Sequence, residues 1–364
     1  MYTDDDEYSF SFASTTGIES MYTPAATEQD TDEFELVYGD QDAGSSQGAP
    51  SSCDSTSVPP DIHAHEFKHG RRYHSFMSGR YPLPNDIGEQ HREETKHALM
   101  LQLTVLAQEI SIRGGKLFLS DVGEFPQKIL DIGTGTVADL YPSASVVGTD
   151  LSPIQPKWLP INARMFVEDC EDPEWMHGCG FDLVHFRGVA DVLLDLEAVV
   201  TNAYCNIKSG GWIEFQEFDQ PVLCDDGTMM KDDPVRAFSD LCAEGMRKHG
   251  CPSFGKQDLQ QTLEGAGFGR IRVETKKVPI STWSKDKTLR TVGALMKINI
   301  LEALDGFAAK PLAALGMSVK ERRDLVAGVR QSLDDDQVHR YVNCRICYGQ
   351  KVDWDSASAS GTSF

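Results

Sequence analysis

The chain has 364 residues, a formal net charge of -22 and nine cysteines, a length that allows one large domain with additions. No apolar run is long enough to span a membrane and no basic-then-apolar start marks a secretory signal, so we expect a soluble intracellular protein. No basic face for nucleic acid is evident, and the scattered cysteines fit reduced thiols rather than a disulfide framework.

Residues 1–60 form an acidic segment that contains thirteen acids and no Lys or Arg. This composition cannot bury enough apolar surface to offset the entropy of ordering, so it predicts a disordered tail. A small apolar island at Phe34 to Tyr38 leaves open the alternative that the tail binds a partner.

Residues 61–127 are predicted to form an N-terminal lid and a helix. The segment from His69 to Asp86 mixes aromatic, basic and turn-forming residues and is too irregular for a long helix. Asn85 or Asp86 is predicted to cap a helix, with Glu89 three residues after Asp86, and apolar spacing continues that helix over residues 87–113. The helix either simply packs on a sheet or belongs to a lid over a ligand, with the aromatic candidates Tyr73, His74 and Tyr81.

The stretch from Lys128 to Asp150 carries the strongest pattern in the chain. A short apolar strand opens into Gly133-Thr-Gly135, and a second β-branched run ends in Asp150. Strand, glycine-rich turn, short helix, strand and terminal acid predict the nucleotide-binding half of a doubly wound α/β fold. Asp150 is then placed to accept hydrogen bonds from a ribose diol.

Two nucleotides fit this pattern. Gly133-x-Gly135-x-x-Ala138 matches the dinucleotide fingerprint of NAD. Asp131, two residues before the first glycine, would repel a pyrophosphate but attract the ammonium and sulfonium groups of S-adenosylmethionine. The acid favours the methyl donor over NAD.

Three further strands and one helix follow in the same pattern. Asp169, beside Cys170, follows the third strand and is placed for an adenine amino group. Polar groups at successive strand ends predict the edge where open α/β sheets bind ligands. We predict strands at Arg164 to Val167, Phe181 to Arg187 and Trp212 to Phe215, with a helix over residues 189–207.

The second half of the chain is less regular. Two helices between the last two strands, an insertion at about residues 283–335, are expected to cover the cleft, and residues 353–364 form a flexible tail. Cys344 and Cys347 lie in the last strand, where their odd spacing points them to opposite faces and argues against a metal site. We predict helices over residues 231–249, 257–265, 285–305 and 318–333, and strands at Ile271 to Pro279 and Val338 to Val352.

Three segments carry a resemblance: residues 71–86, 128–136 and 148–156, the last reading GTDLSPIQP. They resemble the fungal LaeA-like (UMTA-type) S-adenosylmethionine-dependent methyltransferases over roughly Phe67 to Val352. The resemblance implies a class I methyltransferase domain at 128–352: a Rossmann-like α/β fold whose seven-stranded sheet has a helical cover inserted before its last strand. It also implies a role in secondary metabolism, either as a nuclear regulator or on a metabolite. The cofactor residues that we expect are Asp131, Gly133, Gly135, Asp150, Leu151, Asp169 and Cys170.

The sequence departs from this family after Thr136. About six residues of the loop and first helix are missing, and the eleven residues from Thr134 to Ala144 barely supply a right-handed crossover. The first turn of that helix should present N–H groups to the cofactor carboxylate. The short loop therefore indicates either weakened activity or a misassigned splice junction.

A sulfonium is already an excellent leaving group, so catalysis needs mainly proximity and desolvation. A base is needed only for a protonated acceptor. Candidates to contact the acceptor, a small molecule or a protein, are Tyr73, His185, Arg187 and Glu217. The alternatives are a catalytically weak scaffold in a regulatory complex and an NAD-binding oxidoreductase. The location is expected to be nuclear or cytoplasmic, the former by resemblance alone.

Overall fold

The computed structural model describes residues 64–107, 117–133, 141–154, 159–251 and 254–352, and for residues 105–107 it describes the backbone alone. The acidic tail, Gly135, the shortened loop after it and the C-terminal tail lie outside the described residues. Within the described part of the chain, no helix is both long and apolar enough to cross a membrane.

The described chain begins with a hairpin of two short antiparallel strands, β1 (His65–Lys68) and β2 (Arg71–His74). The turn between them is His69-Gly70, and both residues have positive φ angles. Strands of four residues are too short to show a clear alternation, and the sequence did not predict them. A loop then leads to helix α1 (Ile87–Ala107), where the carboxylate of Asp86 accepts from the Glu89 N–H at 3.1 Å as predicted.

The main sheet has seven strands in the order β5-β4-β3-β6-β7-β9-β8. The ladders make six strands parallel, and β9 runs antiparallel between β7 and β8. This is the seven-stranded α/β sheet that the sequence predicts. The strands are β3 (Lys128–Ile132), β4 (Ser145–Asp150), β5 (Ala163–Val167), β6 (Phe181–Arg187), β7 (Ile207–Phe218), β8 (Gly269–Pro279) and β9 (Tyr341–Gln350).

In the described part of the chain five α-helices follow α1, and each is preceded by a residue whose side chain caps its free N–H groups. The cap of the last helix is a complete capping box between Ser318 and Glu321. The helices are α2 (Leu196–Asn206), α3 (Pro234–His249), α4 (Leu259–Gly265), α5 (Lys287–Ala314) and α6 (Val319–Ser332).

The helices cover both faces of the sheet. On one face α2 and α4 pack on β3, β6 and β7, and Cys347 of β9 belongs to this core. On the other face α1, α3, α5 and α6 form a second core that contains Cys344. The prediction that the two cysteines point to opposite faces is therefore confirmed.

Three predictions about the helices need correction. The helix expected over residues 189–207 is a 3-10 turn at Ala190–Val192 followed by α2, because the backbone extends at Leu193 and restarts at the Asp195 cap. Helix α5 runs to Ala314 rather than 305 and includes Pro311. Helices α5 and α6 pack beside α1 and α3 and do not line the cleft described below.

Candidate active site

A cleft lies at the carboxyl ends of four neighbouring strands, β5, β4, β3 and β6. Its empty volume, including the open mouth, is about 1030 Å³. Its floor includes the residues that end or follow these strands: Gly133, Asp150, Leu151, Asp169, Cys170, Gly188 and Val189. Five of the predicted cofactor residues thus meet in one place, as expected for an open α/β sheet.

Two glycines of the floor have a backbone conformation that other residues adopt only with strain. Gly133 has φ +77°, and a Cβ on it would lie 2.5 Å from Cγ2 of Val189. Gly188 has φ +64°, and a Cβ there would lie 2.9 Å from Nζ of Lys96. Both positions combine a left-handed backbone with a close neighbour, so any side chain would strain or fill the cleft.

Asp150 ends β4 with its carboxylate facing the cleft, and Oδ1 accepts from the Ser152 N–H at 2.8 Å. Burial raises the pKa of Asp150 to about 6, against the stabilising N–H of Ser152, and the carboxylate of Glu93 raises it further. Any hydrogen-bond donor or cation that enters the cleft would stabilise the ionised form of a carboxyl group whose pKa is raised in this way.

At the end of β5 the predicted adenine site is occupied by contacts from the N-terminal region. Arg80 Nε lies 3.6 Å from Oδ2 of Asp169, and the same guanidinium pairs with Glu171 and donates to the Val192 carbonyl at 3.1 Å. Burial raises the pKa of the neighbouring Cys170 thiol to about 12, which keeps it neutral. The sequence analysis did not single out Arg80.

The wall opposite the strand ends comes from residues 80–96, here called the N-terminal wall. Its cleft-lining residues are Arg80, Tyr81, Pro84, Asn85, Glu89, Gln90, Glu93 and Lys96. Of the three aromatic residues proposed for a lid, only Tyr81 lines the cleft. The ring of Tyr73 instead packs under Nζ of Lys310 in α5 at 3.4 Å, and His74 is buried with Nδ1 2.6 Å from the Phe76 carbonyl oxygen.

Helix α1 contributes to this wall through one face. Glu89, Glu93 and Lys96 follow each other at helical spacing, which brings them to the same side. Burial alone would raise the pKa of Glu93, but Arg92 and Lys96 outweigh it and lower the pKa to about 2. Glu93 is therefore an ionised carboxylate at the cleft. In the sequence, the signal for this wall was the helical spacing of its charged residues. The same spacing is equally typical of a helix face exposed to solvent.

Asp131 is not in the cleft, contrary to its predicted role at the cofactor ammonium. It is buried, and its Oδ1 lies 2.7 Å from Nδ1 of His185. The reason is the sheet register: Asp131 of β3 pairs directly with His185 of β6, so both side chains point to the same face and meet. His185 is likewise buried, with Phe118 packed against its ring at 4.8 Å.

Glu217 also lies behind the cleft. Its Oε1 accepts from the N–H groups of Val189 and Ala190, each at 3.1 Å. Burial raises its pKa to about 8, with Asp191 adding to the shift. Glu217 therefore supports the loop after β6 rather than reaching a ligand itself. Of the four candidates for the acceptor, Arg187 is the one that lines the cleft.

Three polar side chains of the cleft have a buried nitrogen or oxygen atom without a hydrogen-bond partner among the described residues. These atoms are Nδ2 of Asn85, Oγ1 of Thr149 and Nη2 of Arg187. Buried polar groups are normally paired, so these atoms are candidates to contact a polar ligand in the cleft. No group of three or more His, Cys, Asp or Glu side chains in the described ranges is arranged to hold a metal ion.

The sheet order, the antiparallel β9 and a cleft at the strand ends define a class I methyltransferase. The chain matches the methyltransferase domain family over residues 106–272. The methyltransferase pytC of Aspergillus terreus is 33% identical over 309 residues, 83% of this chain and 92% of the relative. The secondary metabolism regulator LAE1 of Cochliobolus heterostrophus is 31% identical over 303 residues, 79% of this chain and 95% of the relative. The chain belongs to the LaeA-like family of fungal methyltransferases.

Proposed function

We propose that the cleft binds S-adenosylmethionine and that the protein transfers its methyl group to a small-molecule acceptor of fungal secondary metabolism. The observation that carries the proposal is the meeting of Gly133, Asp150 and Asp169 at three successive strand ends of a methyltransferase fold. The relationship to pytC, named a methyltransferase, supports it.

The charge of the cleft supports this cofactor over NAD. Among the described residues, five carboxylates and three basic side chains line it, and two of the basic ones are paired with acids. An acidic site attracts the sulfonium and ammonium of S-adenosylmethionine, whereas the pyrophosphate of NAD would add two negative charges. The charged residues are Glu89, Glu93, Asp150, Glu168 and Asp169 with Arg80, Lys96 and Arg187.

The residues present fit the cofactor. Asp150 can accept from both ribose hydroxyls, and the unpartnered Thr149 Oγ1 lies beside it. Gly133 lines the cleft without a side chain, so its backbone can approach the amino-acid part closely. The acid and thiol at the end of β5, Asp169 and Cys170, remain the candidates for the adenine.

When bound, S-adenosylmethionine supplies an activated methyl group on a good leaving group. The chain then has to align the acceptor and exclude water. Tyr81 of the N-terminal wall and Val192 and Leu193 after β6 supply apolar surface for this at the cleft. Glu93 is ionised, yet a pKa of about 2 makes it a poor base. This favours an acceptor atom that already carries a free lone pair.

The wall also limits the size of the acceptor, because α1 and Tyr81 lie directly opposite the strand ends. A small metabolite suits this enclosure better than a folded protein. The likeness to the LAE1 regulator supports a second candidate role in regulation. For that role we propose protein partners and a nuclear location. That role depends on the same cofactor site.

Calorimetric titration of the purified chain with S-adenosylmethionine, with NAD as the control, tests the proposal. We expect saturable binding of the first and none of the second. Binding of NAD alone would replace the methyltransferase assignment of this cleft with a dinucleotide site. A mass shift of 14 units in a metabolite pool incubated with protein and cofactor then identifies the acceptor, since roughly that mass is added when a methyl group replaces a proton.

A further inference from the structure

Arg187, the last residue of β6, holds a guanidinium group that is fixed on two of its three nitrogens. Nε donates to Oε1 of Gln216 at 3.0 Å, and Nη1 lies 2.7 Å from Nδ1 of His97 on α1. Nη2 has no hydrogen-bond partner in the described part of the chain. The residue is 9% exposed and lines the cleft.

An unpartnered N–H on a buried cation is costly, because the group has lost water without gaining an acceptor. None of the carboxylates that line the cleft forms a salt bridge with Arg187. Since arginine stays protonated in proteins, the group can only be satisfied by an acceptor, and an anionic oxygen is the strongest one. The arrangement is that of a preformed anion site.

The position of Arg187 indicates which anion it receives. Ile132 of β3 pairs with Thr149 of β4 on one side and with Phe186 of β6 on the other, so these three residues lie in one row across the sheet. Asp150 and Arg187 are the next residues along β4 and β6. Their strands are separated by two strand spacings, roughly 9.5 Å. In S-adenosylmethionine seven single bonds join the ribose C3′ to the carboxylate carbon, a span of about 9 Å when extended.

We propose that Arg187 binds the carboxylate of S-adenosylmethionine through Nη2 while Asp150 holds the ribose, an inference that rests on the function proposed above. The cofactor then lies across β4, β3 and β6, with its amino-acid part over Gly133. Arg187 is a positioning residue in this scheme, since it fixes the end of the chain that carries the sulfonium.

The contacts that hold Nε and Nη1 also fix the position of Nη2. Because arginine can only donate, Nδ1 of His97 is the acceptor of this hydrogen bond. Burial, and then the charge of Arg187, lowers the pKa of His97 to about 4, so the ring is neutral and can accept. Gln216 is held in turn by donating to the Leu117 carbonyl at 3.0 Å. The guanidinium cannot rotate away without breaking both contacts, so binding pays little entropy.

The test compares S-adenosylmethionine with its decarboxylated form, which keeps the adenosine, sulfonium and amine. Calorimetry on the full chain should show the decarboxylated ligand binding about ten- to a hundredfold more weakly, the range expected for a charged hydrogen bond. Arg187→Met should remove most of this difference by weakening only the carboxylate-bearing ligand. Arg236→Met is the matched control, because it removes an exposed arginine of α3, outside the cleft, and should leave the ratio of the two affinities unchanged.

Equal binding of both ligands by the unmodified chain would overturn the assignment, and this comparison stands even if Arg187→Met fails to fold. A variant that folds and still discriminates would likewise overturn it, because another group would then bind the carboxylate. If neither ligand binds, the proposed cofactor itself is wrong. The failure of the inference and that of the proposed function are therefore distinguishable.

Discussion

Asp150→Asn tests the proposed ribose contact with little disturbance of the fold. The Asn side chain keeps an oxygen for the Ser152 N–H, which donates at 2.8 Å, but loses the negative charge. A hydrogen bond to a charged acceptor contributes about 1.5–3 kcal/mol, so affinity for S-adenosylmethionine should fall ten- to roughly a hundredfold. Asp240→Asn removes an exposed acid from α3 and should leave the affinity unchanged.

The same residue predicts a pH dependence. Burial raises the pKa of Asp150 to about 6, and ribose hydroxyls donate more strongly to its ionised form than to its neutral form. Binding therefore selects the deprotonated carboxylate, and affinity should fall by up to about tenfold per pH unit below pH 6. Calorimetry at pH 5, 6 and 7.5 measures this slope. The Asn variant cannot titrate and should show a flat profile.

Two results would refute the reasoning. If Asp150→Asn binds as tightly as the unmodified chain at pH 7.5, the carboxylate does not hold the ribose. If the variant keeps the same slope between pH 5 and 7.5, another group controls the pH dependence. Thermal melts of both chains establish that any loss of affinity occurs in a folded protein.

Two further predictions concern stability. Because burial raises the pKa of Glu217 to about 8 from 4.5, its neutral form favours folding below pH 4.5, and this contribution is lost as pH rises through 8. Glu217→Gln keeps an acceptor for the loop, so its melting temperature should exceed that of the unmodified chain at pH 9 but not at pH 4. The control Glu244→Gln, at an exposed position, should show no such trend. Gly133 and Gly210 both have φ +77°, so alanine at either position is strained. Of the two, only Gly133 has a close neighbour, since a Cβ there would lie 2.5 Å from Cγ2 of Val189. Alanine at Gly210 should cost roughly 1–2 kcal/mol in denaturant melts and at Gly133 clearly more; equal losses would contradict the clash.

The strands of the sheet could be predicted because a parallel sheet buried on both faces leaves apolar runs in the sequence. The predicted bounds of β6, Phe181 to Arg187, agree with the structure. Helix starts could also be predicted where a capping side chain precedes the helix, as at Asp86. The end of α5 was not, because Pro311 normally marks a helix boundary and here lies inside one.

The site divides in the same way. Asp150 and Asp169 were predictable because they end or follow strands, and topology alone brings strand ends together. The burial of Asp131 on His185 was not, because it depends on which residues of β3 and β6 face each other across the ladder. The contribution of Lys96 was hidden for another reason: a charged helix face looks the same whether it meets solvent or a cleft.

The N-terminal wall has a consequence for how the protein folds. Arg80 bonds to the Val192 carbonyl, a residue 112 positions later in the chain. Closing so long a loop costs entropy that is recovered only when β3 to β6 already form a surface to close upon. We therefore predict that the wall docks after the sheet has formed and opens before the sheet does. Such local opening of residues 80–96 would admit cofactor and acceptor without disturbing the sheet, which would make the wall the gate of the cleft.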